Sequence, residues 1–288
     1  FLLLWAHPSM GWFDAINHAF ATLATGGFST KGSSIAAFDS VYIDSVITVF
    51  MFLAGINFAM HFRLIRGYTK SFFNNRETRF YSLITAIAVV AISGSLWLFD
   101  HYSIGEALQY GTFQAVSIIT TTGFGTDDYE LWYSFGSFFL FLLFFTGGCA
   151  GSTGGGPKMV RWMIIIRNSF REIKQIVHPK AVLPIRIGDK TVDPNIQRTV
   201  LSFFVLYLIV FGFGALVMAT MGYGMESAIG ASIACLGNIG PGWGEFGPTD
   251  NYAQIPIFGK WVLIIMMMIG RLEIFTVLLI FTPTFWKQ

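Results

Sequence analysis

The chain has 288 residues, 54% of them hydrophobic and 12% charged, with a formal net charge of +2. A soluble domain carries about 25% charged residues, so this composition excludes an ordinary water-soluble globule and points to lipid as the main solvent. The two cysteines, Cys149 and Cys235, sit in apolar or Gly-rich surroundings, which argues against a disulfide framework or a thiolate metal site and reads as small packing residues.

In chain order, FLLLWAHPSM has no initiator Met and no basic leader, so neither a signal peptide nor a natural start is expected, and the chain reads as N-terminally incomplete. A spanning helix needs roughly 20 mostly apolar residues. Such runs are predicted at Ser40–Phe62, Phe80–Phe99, Leu131–Ile166 (interrupted), Thr199–Met221 and Ile257–Trp286, after a remnant at Phe1–Ala6. Between them lie shorter apolar stretches, Trp12–Ala24, Ala107–Ile119 and Ser227–Leu236. Stretches of about 10–14 apolar residues are more often re-entrant or buried than spanning.

Charge assigns the sides. Arg63, Arg66, Lys70, Arg76 and Arg79 face only Glu77 between residues 63 and 79, and nine basic residues between Lys158 and Arg198 face Glu172, Asp189 and Asp193. Short cytoplasmic loops collect Lys and Arg, so loops 63–79 and 158–198, and with them the C-terminus, are expected inside. The other connections carry Asp14, Asp39, Asp44, Asp100, Glu106, Asp127, Asp128, Glu130, Glu226, Glu245 and Asp250 against Lys31 and Lys260. These are expected outside, where acidic mouths attract cations.

Each short stretch ends in a glycine turn, and the turns repeat. HAFATLATGGFST (His18–Thr30) aligns with QAVSIITTTGFGT (Gln114–Thr126), and ASIACLGNIGPG (Ala231–Gly242) fits the same frame, with Gly240 in the place of Gly27 and Gly123. Glycine also serves helix packing in membranes, but three copies at matched places predict units of helix, half-helix, glycine turn and helix. Non-helical backbone at that depth survives only where it is buried or lines a watery cavity.

A half-helix whose C-terminal end points at the bilayer centre directs about half a negative charge there. Beyond it, backbone carbonyls can replace the water shell of potassium. The carbonyls of Thr25 and Gly26, Thr121 and Thr122, and Asn238 and Ile239 are therefore the expected ligands, with Gly27, Gly123 and Gly240 supplying permissive torsions. No resident cofactor is needed; potassium is the expected cargo.

ATGGFST, TTTGFGT and GNIGPG resemble filter segments of the Trk/Ktr/HKT cation transporter superfamily, and the whole chain resembles its TrkH-type subunits. The resemblance implies an all-α integral membrane protein with pore units arranged pseudo-symmetrically around one pore. Residues 1–79 would be the second unit, 80–198 the third and 199–288 the fourth, with the first preceding Phe1. It further implies a multi-pass protein of the bacterial inner (plasma) membrane, homodimeric, docked on a cytosolic TrkA-type nucleotide-binding ring, with no nucleic-acid partner and no enzymatic activity.

The predicted third-unit helix is interrupted by FFTGGCAGSTGGGPK, where Gly147, Gly148, Gly151, Gly154, Gly155 and Gly156 break helical structure. It reads either as an interfacial loop or as an intramembrane strip that must move for ions to pass; the resemblance implies a gating loop. A phosphate loop is excluded because GSTGGGPK lacks the Gly-Lys-[Ser/Thr] order, and a serine protease would need a His within reach of Ser152. Arg271, expected near the middle of the last spanning helix, costs at least about 2.5–3.5 kcal/mol in lipid, so it should face a cavity or the pore, unless it pairs with another helix. Glu273, about 200° around that helix, should not share its face. The resemblance makes Arg271 a pore arginine. Sodium conduction or proton-coupled cation transport is the alternative function; in this superfamily a Gly-to-Ser filter change goes with sodium preference, and all three glycines are present.

Overall fold

The computed structural model describes residues 1–188, 190–280 and 282–286, and these are overwhelmingly helical. Asp189, counted among the acids of the second basic loop, and the last two residues of the C-terminus lie outside the described residues. A short turn, α1 (Leu2–Trp5), leads to α2 (Trp12–Leu23), α3 (Val41–Ala54), α4 (Phe58–Ile65), α5 (Thr69–Phe73) and α6 (Arg76–Leu98). Then come α7 (Ile104–Ile119), α8 (Ser134–Leu143), α9 (Met159–Val177) and a two-stranded antiparallel hairpin, β1 (Arg186–Ile187) and β2 (Lys190–Thr191). The chain closes with α10 (Pro194–Thr220), α11 (Met225–Gly237), α12 (Ile257–Arg271), α13 (Ile274–Ile280) and α14 (Pro283–Trp286).

Two helices, α6 and α10, are each long and apolar enough to cross a membrane unbroken. At 1.5 Å per residue the 27 residues of α10 reach ~40 Å. It buries the stripe Val200, Phe203, Tyr207, Gly214 and Met218 and leaves Val205, Leu208, Ile209 and Phe213 exposed, an arrangement that suits lipid on the outer face.

Two predicted continuous spans are broken instead. Ser40–Phe62 is α3 and α4, bent by 100°, and Ile257–Trp286 is α12 and α13, bent by 117°, with α14 beyond. The first break follows from Gly55 closing α3 and Asn57 starting α4, where the Asn57 side chain accepts the Ala59 N–H at 2.8 Å. At the second, α12 stops at Arg271 and Glu273 takes φ +65°, outside any right-handed helix. Arg271 is therefore at the end of a helix, not in the middle of one. The interruption expected within Leu131–Ile166 separates α8 from α9.

The three short helices α2, α7 and α11 carry Asp14, Glu106 and Glu226 in their first turns, where the helix dipole favours an acid. Ser103 and Glu106 also close a capping box on α7. Packing holds α7 against α6 and α3, and α11 between α10 and α12. The larger buried cluster runs through α6, α7, α8, α11 and α12; a smaller one joins α1, α2 and α3 to Phe113 and Phe124. Cys149 and Cys235 are buried free thiols.

Candidate functional site

The three glycine turns meet at one place. A Cβ on Gly27 would overlap the carbonyl oxygen of Thr122, and one on Gly123 would overlap the carbonyl oxygen of Ile239. Each turn thus abuts the next in a fixed direction, and only a residue without a side chain fits. Gly240, the last in the series, faces open space. Phe124 is fully buried beside His18 of α2, whereas Phe28 at the matching place in the first turn is 79% exposed.

The turns also share a backbone pattern. Thr25 (φ +50°), Thr121 (+57°) and Asn238 (+56°) are left-handed, and so are Gly27 (+64°), Gly123 (+81°) and Gly240 (+111°) two residues on. For a β-branched Thr this region is a genuine outlier, and such strain costs of order 1–3 kcal/mol per residue. Sequence reasoning assigned unusual torsions only to the glycines; the threonines gave no signal, while Asn238 belongs to a residue type that tolerates this region.

Among the described residues no protein donor bonds the carbonyl oxygens of Thr25, Gly26, Thr121, Thr122, Asn238 and Ile239, whereas that of Gly240 accepts the Tyr252 hydroxyl at 2.8 Å. Thr25, Thr121, Thr122 and Ile239 are nearly or wholly buried. Buried carbonyls ordinarily have partners, so this cluster offers a ready set of oxygen ligands. Among the described residues no cluster of His, Cys, Asp or Glu suits a metal ion.

The glycine-rich strip between α8 and α9 runs directly beneath the turns. The Thr153 hydroxyl donates to the Leu23 carbonyl at the end of α2 at 3.0 Å, and the Gly155 N–H donates to the Thr121 hydroxyl. A Cβ on Gly154 would press on the Thr120 carbonyl at the end of α7, and one on Gly155 on the Gly237 carbonyl at the end of α11. The strip therefore touches the C-terminal end of all three short helices. Gly147 and Gly148 pack at its start and Gly151 beside Asn57, while Gly156, at φ +61°, turns toward the Thr146 carbonyl.

Arg271 donates from Nη1 to the Thr153 carbonyl at 2.7 Å, bringing the helix break onto the strip. The ion pair belongs to its neighbour: Glu273 meets Arg161 of α9 at 2.7 Å, and Arg161 stacks on Phe203. Lys158 donates to the Gly154 carbonyl. These groups line a cavity of about 270 Å³ with Ser152, Tyr207 and Ile274. Among the described residues the Ser152 hydroxyl is buried without a hydrogen-bond partner, and His61 is engaged with the Leu53 carbonyl at 2.9 Å, so no described base pairs with the serine.

Two carboxylates that follow the second turn brace the neighbouring loops. Asp127 accepts from Tyr102 at 2.9 Å and Trp132 at 2.8 Å, and Glu130 accepts the Gly244 N–H. Burial pushes the Tyr102 hydroxyl up to about 12. Burial likewise raises the Glu130 carboxyl, against the opposing pull of the Gly244 N–H. At the first turn the Thr30 hydroxyl, with Lys31 assisting, holds the Asp14 carboxyl below its usual range.

These features define a multi-pass helical membrane protein with short helices that end on clustered backbone carbonyls. The chain belongs to the TrkH family of cation transport proteins, whose family profile matches residues 5–288. It is 40% identical over 289 residues to the Trk system potassium uptake protein TrkH of Escherichia coli K12, covering 100% of this chain and 59% of that protein. It is 38% identical over 287 residues to the protein of the same name from Halomonas elongata, covering 99% of this chain and 59% of the relative. The fold matches the crystal structure of the potassium transporter TrkH from Vibrio parahaemolyticus with a TM-score of 0.93 at 38% identity, over 99% of this chain and 61% of that one. The chain thus spans about three fifths of the length of the relatives it matches.

Proposed function

We propose that this chain forms three units of a potassium pathway, with the carbonyls of Thr25, Gly26, Thr121, Thr122, Asn238 and Ile239 as its filter. The observation that carries this reading is the set of carbonyls without protein donors, gathered where three short helices end. Each end supplies about half a negative charge, which attracts a monovalent cation without a side-chain carboxylate. Gly240 and Phe28 mark the side on which a further unit would complete the ring.

The strip 147–156, held by Arg271, acts as the gate in this reading, since ions leaving the turns meet it next. The basic segments at 63–79 and 158–198 lie on the cytoplasmic side of the bacterial inner membrane by the positive-inside rule. Homodimerisation and a TrkA-type ring are the assembly that the family resemblance implies.

The test is rubidium-86 uptake by the complete protein in liposomes, with potassium or sodium as competitor, comparing wild type, Gly123→Ser and Arg271→Ala. Uptake blocked by potassium, impaired by the first change and raised by the second, supports the reading. Uptake indifferent to both changes refutes it. Uptake blocked equally by sodium favours the sodium or proton-coupled alternative.

A further inference from the structure

A single carboxylate oxygen ties the first half of the strip to the start of α9. Glu77, in the first turn of α6, accepts through Oε1 the N–H of Ala150 at 2.7 Å and the N–H of Val160 at 3.1 Å. Ala150 lies within the strip, between Gly148 and Gly151, and Val160 in the first turn of α9, so the two bonds bracket residues 151–159. The same edges are tied again nearby. Asn57 donates to the Ala150 carbonyl at 2.6 Å, Phe58 donates to the Gly151 carbonyl at 3.1 Å, and Cys149 donates to the Gly55 carbonyl at 2.8 Å. Met159 donates to the Gly148 carbonyl at 3.1 Å, closing the base of the loop on itself.

The span in between is held differently. Its bonds run through side chains: the Thr153 hydroxyl donates to the Leu23 carbonyl at 3.0 Å and more weakly to that of Ala54 at 3.5 Å, the Gly155 N–H donates to the Thr121 hydroxyl, Arg271 to the Thr153 carbonyl and Lys158 to the Gly154 carbonyl. The Ser152 hydroxyl has no partner among the described residues. Edges tied by backbone bonds to Gly55 and Phe58 and a middle held through side chains describe a segment that swings about two fixed points.

We propose that Glu77 is the fixed anchor of the strip, a positioning residue that confines gate movement to residues 152–158. This rests on the proposed gate. A charged acceptor is stronger than a neutral one, and one oxygen shared by both ends keeps them together while the middle moves. Without it, α9 and the strip lose their common attachment to α6, and the closed position is no longer enforced.

The experiment measures rubidium-86 uptake by the complete protein in liposomes without any activator, at matched protein amounts, for Glu77→Ala, Glu77→Gln and Arg271→Ala. Glu77→Ala is expected to raise this basal uptake by about tenfold or more, since it removes two charge-assisted bonds, with potassium-over-sodium competition unchanged. Glu77→Gln keeps an oxygen acceptor of the same reach and is expected to lie between Glu77→Ala and wild type. A residue that only supports folding would instead lower uptake in proportion to the folded fraction and would not be rescued by Gln. Basal uptake of Glu77→Ala equal to or below wild type, while Arg271→Ala raises it, overturns the anchor and leaves the gate standing. If neither variant raises uptake, the gate reading and the anchor both fail. If Glu77→Ala does not reach the membrane, Glu77→Gln decides alone: elevated basal uptake supports the anchor, and wild-type uptake overturns it.

Discussion

Gly123 provides the sharpest test of the ring of turns, because a side chain there meets two independent penalties. At φ +81° an L-residue pays for a left-handed backbone, about 1–2 kcal/mol. Its Cβ would also overlap the Ile239 carbonyl oxygen and crowd Pro241, and overpacking of that kind costs about 1–3 kcal/mol. Together Gly123→Ala should destabilise the contact between the second and third turns by about 2–5 kcal/mol. Gly94 in α6 is the matched control, since a Cβ there meets nothing within 4 Å and the change to Ala favours the helix by roughly 0.5–1 kcal/mol. The assays are thermal unfolding in detergent and rubidium uptake with sodium competition. Gly123→Ala should unfold earlier and discriminate less between potassium and sodium, while Gly94→Ala should do neither. Equal behaviour of the two variants would refute the claim that the turns are held edge to edge through these glycines.

Thr121→Val removes the hydroxyl that accepts the Gly155 N–H while keeping the branched shape; basal uptake should rise severalfold, and Thr121→Ser should behave as wild type. Glu130 supplies a pH signature. Its carboxyl is raised by burial, so its contribution is complete below the unfolded carboxylate range and is lost as pH rises through the folded value. Wild type should therefore gain stability relative to Glu130→Gln on mild acidification, as read from unfolding midpoints between about pH 7 and 4. Asp14 has the opposite sign: its carboxyl is lowered by Thr30, so its contribution is present above the unfolded value and fades as pH falls through the folded one, a loss that Asp14→Asn should abolish.

The short helices and the three glycine turns were legible because they depend on local composition. Trp12–Ala24 and Ser227–Leu236 agree with α2 and α11 to within two residues at each end, since an apolar run bounded by glycine leaves few choices. The breaks at Gly55–Asn57 and Leu272–Glu273 were not legible, because the surrounding hydrophobicity is continuous and the capping signal of one Asn or the torsion of one Glu is small beside it. Membership of the cation transporter family was recognisable from ATGGFST and TTTGFGT, and the family profile agrees. Glu77 was visible only as one acid among basic neighbours. Its bonds to Ala150 and Val160 join residues more than seventy positions away, and no local pattern encodes them.

The electrostatics of the strip explain why such a gate would need so few bonds. Carbonyl ends of α2, α7 and α11 converge, and the field that would hold a cation in the turns extends to whatever lies below. In this arrangement that field is met by protein donors: the Thr153 hydroxyl at Leu23 and the Gly155 N–H at Thr121, with Arg271, Arg161 and Lys158 lining the far side. Only Glu273 offsets the three cations among the residues lining that cavity, and it is committed to Arg161. A potassium ion leaving the turns would meet positive charge in the proposed gate, and displacing Arg271 from Thr153 would remove both a cation and a tether in one movement. The same guanidinium would then act as latch and as electrostatic barrier, so a neutral substitute that only filled its space would lose the Thr153 bond and lower the barrier together.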